Sequence, residues 1–273
     1  MSKFEQLARD LAEAWRSGGT IPLPPAGPAT RLDAYAIQDR MAELIGGAVA
    51  GWKVGATVRA VQVFEGHDGP LPGRIFADRL FDSPARIPAK LFRGVKVECE
   101  FAFRLTRELP GGNGPVTRDE IADALTFHPA LELAGSRYAP GTGNRAATTF
   151  DGVADNGSGG AAVLGAAVAD WPKLPFDSME IDARIDDSPP IQIYTGAYRR
   201  DPAVITAETF SDLRARGVPL PVGTCVLTGS LSLPTPVLQG QIVTEFEVVS
   251  GERFLIGATE FRFWLPLEQA TPA

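Results

Sequence analysis

The sequence predicts an α+β chain that is mainly β, and three observations predict it. Two segments near the N-terminus carry apolar residues at helical spacing. Later segments alternate between apolar and polar residues, the two-residue repeat of a strand. Most of the 29 glycines and 23 prolines fall between these runs, where they act as turn punctuation.

Phe4, Leu7, Leu11 and Trp15 predict an amphipathic helix over residues 3–16, and a Gly/Pro-rich connector follows from Gly18 to Pro28. Thr30, with Asp33 at capping-box spacing, opens a second helix. Its apolar stripe is Ala34, Ile37, Met41 and Leu44, and Gly46-Gly47 ends it. From there the texture changes to short strands and turns. Residues 94–105 read as a strand with Val95, Val97, Cys99, Phe101 and Phe103 on one face and Lys96, Glu98, Glu100 and Arg104 on the other. Thr106 to Pro115 is a loop. Thr117 and Glu120 form another capping box, opening a short helix through Leu125. Asp201 as cap and Pro202 at the first helical position predict one more helix, ending before Gly217. Beyond it, Ile242 to Val248 and Phe261 to Leu265 alternate as strands.

With 44% hydrophobic and 22% charged residues, the 273-residue chain is globular in composition, with enough apolar content for one large core or two small ones. The formal net charge is -7 and no basic stripe is visible, which argues against a nucleic-acid partner, since phosphate binding needs clustered Lys and Arg. Met1 to Trp15 carries acids and no continuous apolar run, so no secretory signal is expected. No stretch approaches the roughly 20 apolar residues of a membrane helix. Cys99 and Cys225 make no disulfide framework, and the expected location is cytoplasmic. His67 and His128 are the only histidines, too few for a three-His zinc site, and HExxH is absent. Any acid–base chemistry must rest largely on carboxylates and lysines.

Glu98 and Glu100 share a strand face, about 7 Å apart along the strand by the rise per residue. Their side chains could converge on a hard cation, which takes oxygen ligands. The pattern alone favours the wet face of a half-buried strand, which normally carries such charges. Glu132 sits in Pro129-Ala130-Leu131-Glu132-Leu133-Ala134, a run with no other charge. Burying a lone carboxylate is costly, so it needs an ion or a partner such as Arg137. On a strand, Ala130 and Ala134 would share its face and leave room beside it. Lys53, between Trp52 and Val54, either extends its ammonium to water or turns inward as a fixed cation. Asp78 could be a turn or cap residue. Two Gly-rich stretches, Asp155 to Gly160 and Thr228-Gly229-Ser230, could present backbone N–H groups to an anion or simply make turns.

Taken together, the chain resembles the 2-keto-4-pentenoate hydratase / 4-oxalocrotonate decarboxylase branch of the fumarylacetoacetate hydrolase superfamily. The resemblance rests on an ordered set of stretches: Ala34 to Gln38, Gly51-Trp52-Lys53-Val54-Gly55, Phe76-Ala77-Asp78 and Val97 to Phe103. It continues through Pro129-Ala130-Leu131-Glu132, Ser136-Arg137, Asp151 with Ala154-Asp155-Asn156, and Leu227-Thr228-Gly229-Ser230. Departures fall in Ser136 to Asp151, in Glu65 to Pro70 and at Arg200-Asp201-Pro202, loops that should shape a pocket.

The resemblance implies a rolled, barrel-like mixed sheet with peripheral helices, forming one catalytic domain over 1–273 with residues 1–50 as a helical part packed on the core. It implies a Mg²⁺ or Mn²⁺ site at Glu98, Glu100 and Glu132, with Lys53 and Asp78 as catalytic groups. Thr228, Gly229 and Ser230 would lie near the substrate carboxylate. The implied reaction is addition of water to a 2-hydroxy-2,4-dienoate such as 2-hydroxypenta-2,4-dienoate, giving a 4-hydroxy-2-oxo acid in aromatic catabolism. The implied partners are that small 2-oxo or 2-hydroxydienoic acid and further copies of the chain, as a homo-oligomer. Decarboxylation of a 2-oxo dicarboxylate or C–C hydrolysis of an acylpyruvate are the enzymatic alternatives. A non-catalytic partner subunit of the same fold is the non-enzymatic one.

Overall fold

A computed structural model describes residues 4–109, 111, 114–168, 170–237, 242–248 and 259–264, the last two segments as backbone strands. The chain opens with helices α1 (Glu5–Ser17) and α2 (Arg31–Ile45), then strand β1 (Val49–Gly55), helix α3 (Arg59–Glu65) and strands β2 (Leu71–Phe76), β3 (Leu80–Asp82) and β4 (Ala85–Pro88). Strand β5 (Val95–Leu105), helix α4 (Arg118–Ala122), strand β6 (Leu125–Ala134), helix α5 (Thr149–Ala154) and strands β7 (Gly159–Leu164) and β8 (Glu180–Ile185) follow. Helix α6 (Pro202–Ala215) precedes strands β9 (Cys225–Ser230), β10 (Thr235–Val237), β11 (Ile242–Val248) and β12 (Thr259–Trp264).

The local signals explain most of these boundaries. The Thr30 hydroxyl accepts from the Asp33 N–H at 3.1 Å, and Gly46 closes α2 at φ 74°. Asp201 caps α6 by accepting from the Ala203 N–H at 2.8 Å, with Pro202 at its first position. Thr117 and Glu120 form the expected capping box, but α4 ends at Ala122, and Leu125 starts β6 instead of ending the helix. Helices α3 and α5 were not expected. A capping box between Thr148 and Asp151 opens α5, which at six residues is too short to show a helical period. Lys3 and Leu265 of the expected elements lie outside the described residues, as do the side chains of β11 and β12. No helix among the described residues is long and apolar enough to cross a membrane.

The larger sheet runs β2-β1-β9-β5-β6-β7-β3, with β10 also paired to β5, and mixes parallel and antiparallel neighbours. It curls until β2 packs against β7, without the two pairing, so the roll stays open. Small side chains allow the curl. The inner face carries a buried cluster that includes Ala102, Ala130, Ala162 and Cys225 beside Ile75, Leu164 and Leu227. The outer face carries the bulk. Phe101, Phe103 and Phe127 pack there with Trp171, Phe176 and Phe210, which seats α6. Val97, Leu131 and Val163 pack against Ile87, Ala183 and Ile185 of the smaller sheet, ordered β4-β12-β11-β8. Helices α1 and α2 close one side, packing with Leu71, Phe76 and Val153.

Candidate metal centre

The roll sets the position of every charged group on its inner face. Glu98 and Glu132 are directly paired across β5 and β6, Glu100 pairs with Ala130, and Lys53 of β1 pairs with Leu227 and Gly73. On a flat sheet β1 and β6 would stand three strand spacings apart, roughly 14 Å. In the roll the Lys53 ammonium lies 3.3 Å from the Glu132 carboxylate. Oxygen atoms of Glu98, Glu100 and Glu132 lie within 4.8 Å of one another. Pairing of β5 with β6 brings the three glutamates together, and the curvature of the sheet adds Lys53.

Its electrostatics are unbalanced. Glu100 and Glu132 are each 1% exposed, Lys53 is buried, and Glu98 is partly buried. Three carboxylates against one ammonium leave two negative charges uncompensated when all are ionised, the charge a divalent cation carries. Burial raises the carboxyl groups of Glu98 and Glu100 above their ordinary range, and the neighbouring glutamates raise them further. Burial alone would lower Lys53, but Glu132, Glu98 and Glu100 together hold it raised, so it stays an ammonium. Among the described residues Lys53, 3.3 Å from Oε1, is the one ionic partner of the buried Glu132 carboxylate, and neither oxygen accepts a well-formed hydrogen bond. A buried carboxylate with one ammonium beside it and two other carboxylates facing it, with oxygen donors only, fits a hard divalent cation.

Two backbone features fix the group. The Gly229 N–H donates to Glu100 Oε2 at 2.8 Å. Gly229 has φ +98°, and a Cβ there would meet Thr57 Oγ1 at 2.7 Å, so only glycine brings this N–H to the carboxylate. The turn from Asp155 to Gly159 packs along the Lys53 stem, where a Cβ on Gly157 would meet Lys53 Cδ at 3.1 Å. That turn is itself clamped. Arg137 donates from Nε to Asp155 Oδ1 at 2.5 Å, from Nη1 to the Gly159 carbonyl at 2.5 Å and from Nη2 to the Asp155 carbonyl. Asn156 exchanges hydrogen bonds with the backbone of Arg74 on β2. The Gly-rich stretch from Asp155 therefore makes a clamped turn that packs along the lysine stem. Arg137 is committed to Asp155 and is not the partner of Glu132, whose nearest cation is Lys53.

A cleft of about 720 Å³ opens onto Lys53, Glu98 and Glu100, with Gly229 and Ser230 at its wall. Thr228-Gly229-Ser230 is the end of strand β9 and not a free loop. Thr228 is 3% exposed and its hydroxyl donates to the Phe101 carbonyl, so it faces the packing and not the cleft. Asp78 is not brought to the group. It lies in a single turn of 3-10 helix beyond β2, five residues after Gly73, the partner of Lys53, and its side chain is 74% exposed. The sequence reading missed the segment that covers the cleft, from Gln192 to Tyr198. Burial and the nearby Glu98 charge raise the Tyr194 hydroxyl. No periodicity marks this segment, and only tertiary contact brings it over the carboxylates.

A rolled mixed sheet with a carboxylate cluster at its inner edge defines an enzyme of the fumarylacetoacetate hydrolase fold. The chain aligns with "4-oxalocrotonate decarboxylase from Pseudomonas putida G7 - complexed with magnesium and adipate" at a TM-score of 0.77. That alignment has 21% identity and covers 96% of this chain and 97% of that one, a likeness of fold. In sequence it is 33% identical over 250 residues to the 2-keto-4-pentenoate hydratase of Paraburkholderia xenovorans (strain LB400), covering 87% of this chain and 88% of the relative. It is 29% identical over 245 residues to the 2-hydroxyhexa-2,4-dienoate hydratase of Comamonas testosteroni, covering 87% and 90%. No family model matches the chain. The chain belongs to the 2-keto-4-pentenoate hydratase family and is a lyase, and its fold is that of the fumarylacetoacetate hydrolase proteins.

Proposed function

We propose that Glu98, Glu100 and Glu132 hold one divalent cation, Mg²⁺ or Mn²⁺, and that the chain adds water to a 2-hydroxy-2,4-dienoate to give a 4-hydroxy-2-oxo acid. The observation that carries this reading is the convergence of three carboxylates, one of them buried with no well-formed hydrogen bond to either oxygen. The names of the hydratase relatives support the reaction class. A cation held there supplies Lewis-acid stabilisation to negative charge on the oxygen atoms of a 2-oxo acid.

The chain's own residues do the rest. Glu100, tied to the Gly229 N–H, keeps its orientation whether or not the site is loaded. Lys53, held protonated by the three glutamates, places a fixed positive charge beside them. It would stabilise the negative charge that develops on the C2 oxygen as the dienol gives up its hydroxyl proton; C5 takes up a proton to complete the 2-oxo-3-enoate, and water then adds across C3 and C4. Gly229 and Ser230 line the wall near the substrate carboxylate. We place the working form in the cytoplasm as a homo-oligomer, the arrangement the family resemblance implies. Val63 (63% exposed) and Phe64 (91% exposed) on α3 supply an apolar surface for such contacts.

The test is to incubate Mg²⁺-loaded protein with 2-hydroxypenta-2,4-dienoate and identify the product by mass. A gain of one water that EDTA abolishes and Mg²⁺ or Mn²⁺ restores is the expected result. Undiminished turnover after thorough chelation would remove the ion from the reaction, and loss of CO₂ from a 2-oxo dicarboxylate without hydration of the dienoate would replace the reaction.

A further inference from the structure

The cleft is charged at one end only. Among the described residues that line it, the charged ones are Lys53, Glu98 and Glu100, which sit together. From Lys53 one wall follows the chain out of β1 through Val58, the residue that precedes α3, to Val61 on α3. The facing wall is Ile193, Tyr194 and Tyr198, with the two tyrosine rings 5.9 Å apart. Two arginines stand near the rim, and both are occupied. Arg59 pairs with Asp68 at 2.5 Å; Arg200 pairs with Glu208 at 2.6 Å and also donates to the Thr57 carbonyl.

Volume points the same way. 2-Hydroxypenta-2,4-dienoate has eight non-hydrogen atoms, and at roughly the 30 Å³ a water occupies they would fill about 240 Å³. The cleft offers about 720 Å³. A longer substrate tail would lie between valine and tyrosine side chains, where apolar groups gain by leaving water. A second carboxylate placed there would lose its hydration and find no counter-ion.

We infer that the substrate is a monocarboxylate bearing an uncharged apolar substituent beyond C5, alkyl or aryl, selected by Val58, Val61, Tyr194 and Tyr198. This rests on the 2-oxo acid reading above and narrows it. A terminal carboxylate is rejected because the far end of the cleft holds no free cation among the described residues, and a short tail leaves the valine and tyrosine walls unused.

Calorimetric titration of the Mn²⁺-saturated protein with inert 2-oxo acids tests it without requiring turnover. 2-Oxohexanoate and 2-oxo-4-phenylbutanoate should each bind at least tenfold more tightly than pyruvate. 2-Oxoadipate, which differs from 2-oxohexanoate by its terminal carboxylate, should bind at least tenfold more weakly than it. Val61→Arg, at a partly exposed helix position, should raise the ratio of 2-oxoadipate to 2-oxohexanoate affinity at least fivefold, and Tyr198→Ala should remove most of the aryl advantage. Equal affinity for 2-oxoadipate and 2-oxohexanoate, or no gain over pyruvate, would overturn the inference while leaving the hydratase reading intact. Silence from every acid, pyruvate included, would overturn the reading itself and the inference with it.

Discussion

Lys53 and Glu132 lie 3.3 Å apart, and the account gives them different work. In the proposed reaction Glu132 is a ligand and Lys53 acts on the substrate. Lys53→Met keeps the length of the side chain and removes its charge. Turnover should fall by about 100-fold or more, as when a charged transition-state stabiliser is lost. Mn²⁺ affinity should stay the same or rise slightly, because one positive charge has left the neighbourhood. Turnover assays beside a metal titration read both, and near-normal turnover would return Lys53 to a structural role. These two residues also show what was legible in the sequence. A lone carboxylate in an apolar run and a lysine between Trp52 and Val54 are anomalies that demand partners, whatever the fold. That they are partners to each other was not legible, because β1 and β6 meet only through the curl of the sheet. Asp78 shows the converse. Its place in a family-like stretch drew attention, yet the chain turns at the end of β2 and leaves its side chain in solvent.

At the scale of elements, the turn from Asp155 to Gly159 connects α5 to β7 and supports the lysine stem. Asp155 is fully buried, and burial pushes its carboxyl up while the Arg137 guanidinium opposes that shift. Arg137 also lies against the Trp15 ring, 5.2 Å from its centroid, which ties the turn to α1. Arg137→Met keeps much of that apolar contact but abandons a buried acid. Breaking such a pair should destabilise the protein by about 3–5 kcal/mol, read from urea unfolding. A loss under 1 kcal/mol would mean that water already reaches Asp155. The longer elements were legible because α1, α2, α6 and β5 each carry a cap or a clean period. The short ones were not. Helix α3 spans only Arg59–Glu65 with no side-chain cap, too short for a period to declare itself. The role of the Asp155 turn stayed open in the sequence because its glycines look the same whether they face a ligand or a lysine stem.

The whole molecule is an open roll, with small side chains inside and aromatic ones outside. His128 of β6 is buried near the base of that roll, its Nδ1 2.9 Å from the Gly165 carbonyl. Burial lowers its pKa below the ordinary 6.5, although the bond to Gly165 partly opposes this. The unfolded chain therefore takes up a proton at a pH where the folded one still refuses it. Stability from this site is fully present above the unfolded pKa and is lost as pH falls from there through the folded value. His128→Asn should flatten the fall in urea midpoint between about pH 7 and pH 5, the region where an ordinary imidazole titrates. An unchanged slope would place the acid sensitivity elsewhere.

The central claim is that glutamates on the paired strands β5 and β6 form one divalent-cation site, with Lys53 brought beside it by the roll, and it is tested most directly by counting ions. Electron paramagnetic resonance of Mn²⁺ titrated into metal-free protein should show one bound ion per chain. Glu132→Gln should weaken that binding by about 100-fold or more. Its unfolding should change little, because Lys53 retains Glu98 and Glu100 as counter-charges and the amide fills the same space. One tightly bound Mn²⁺ in the wild type, lost in Glu132→Gln with folding intact, is the predicted result. Equal Mn²⁺ affinity in the two proteins, with Glu132→Gln destabilised by several kcal/mol as for a broken buried pair, would contradict the account and leave Glu132 a structural partner of Lys53.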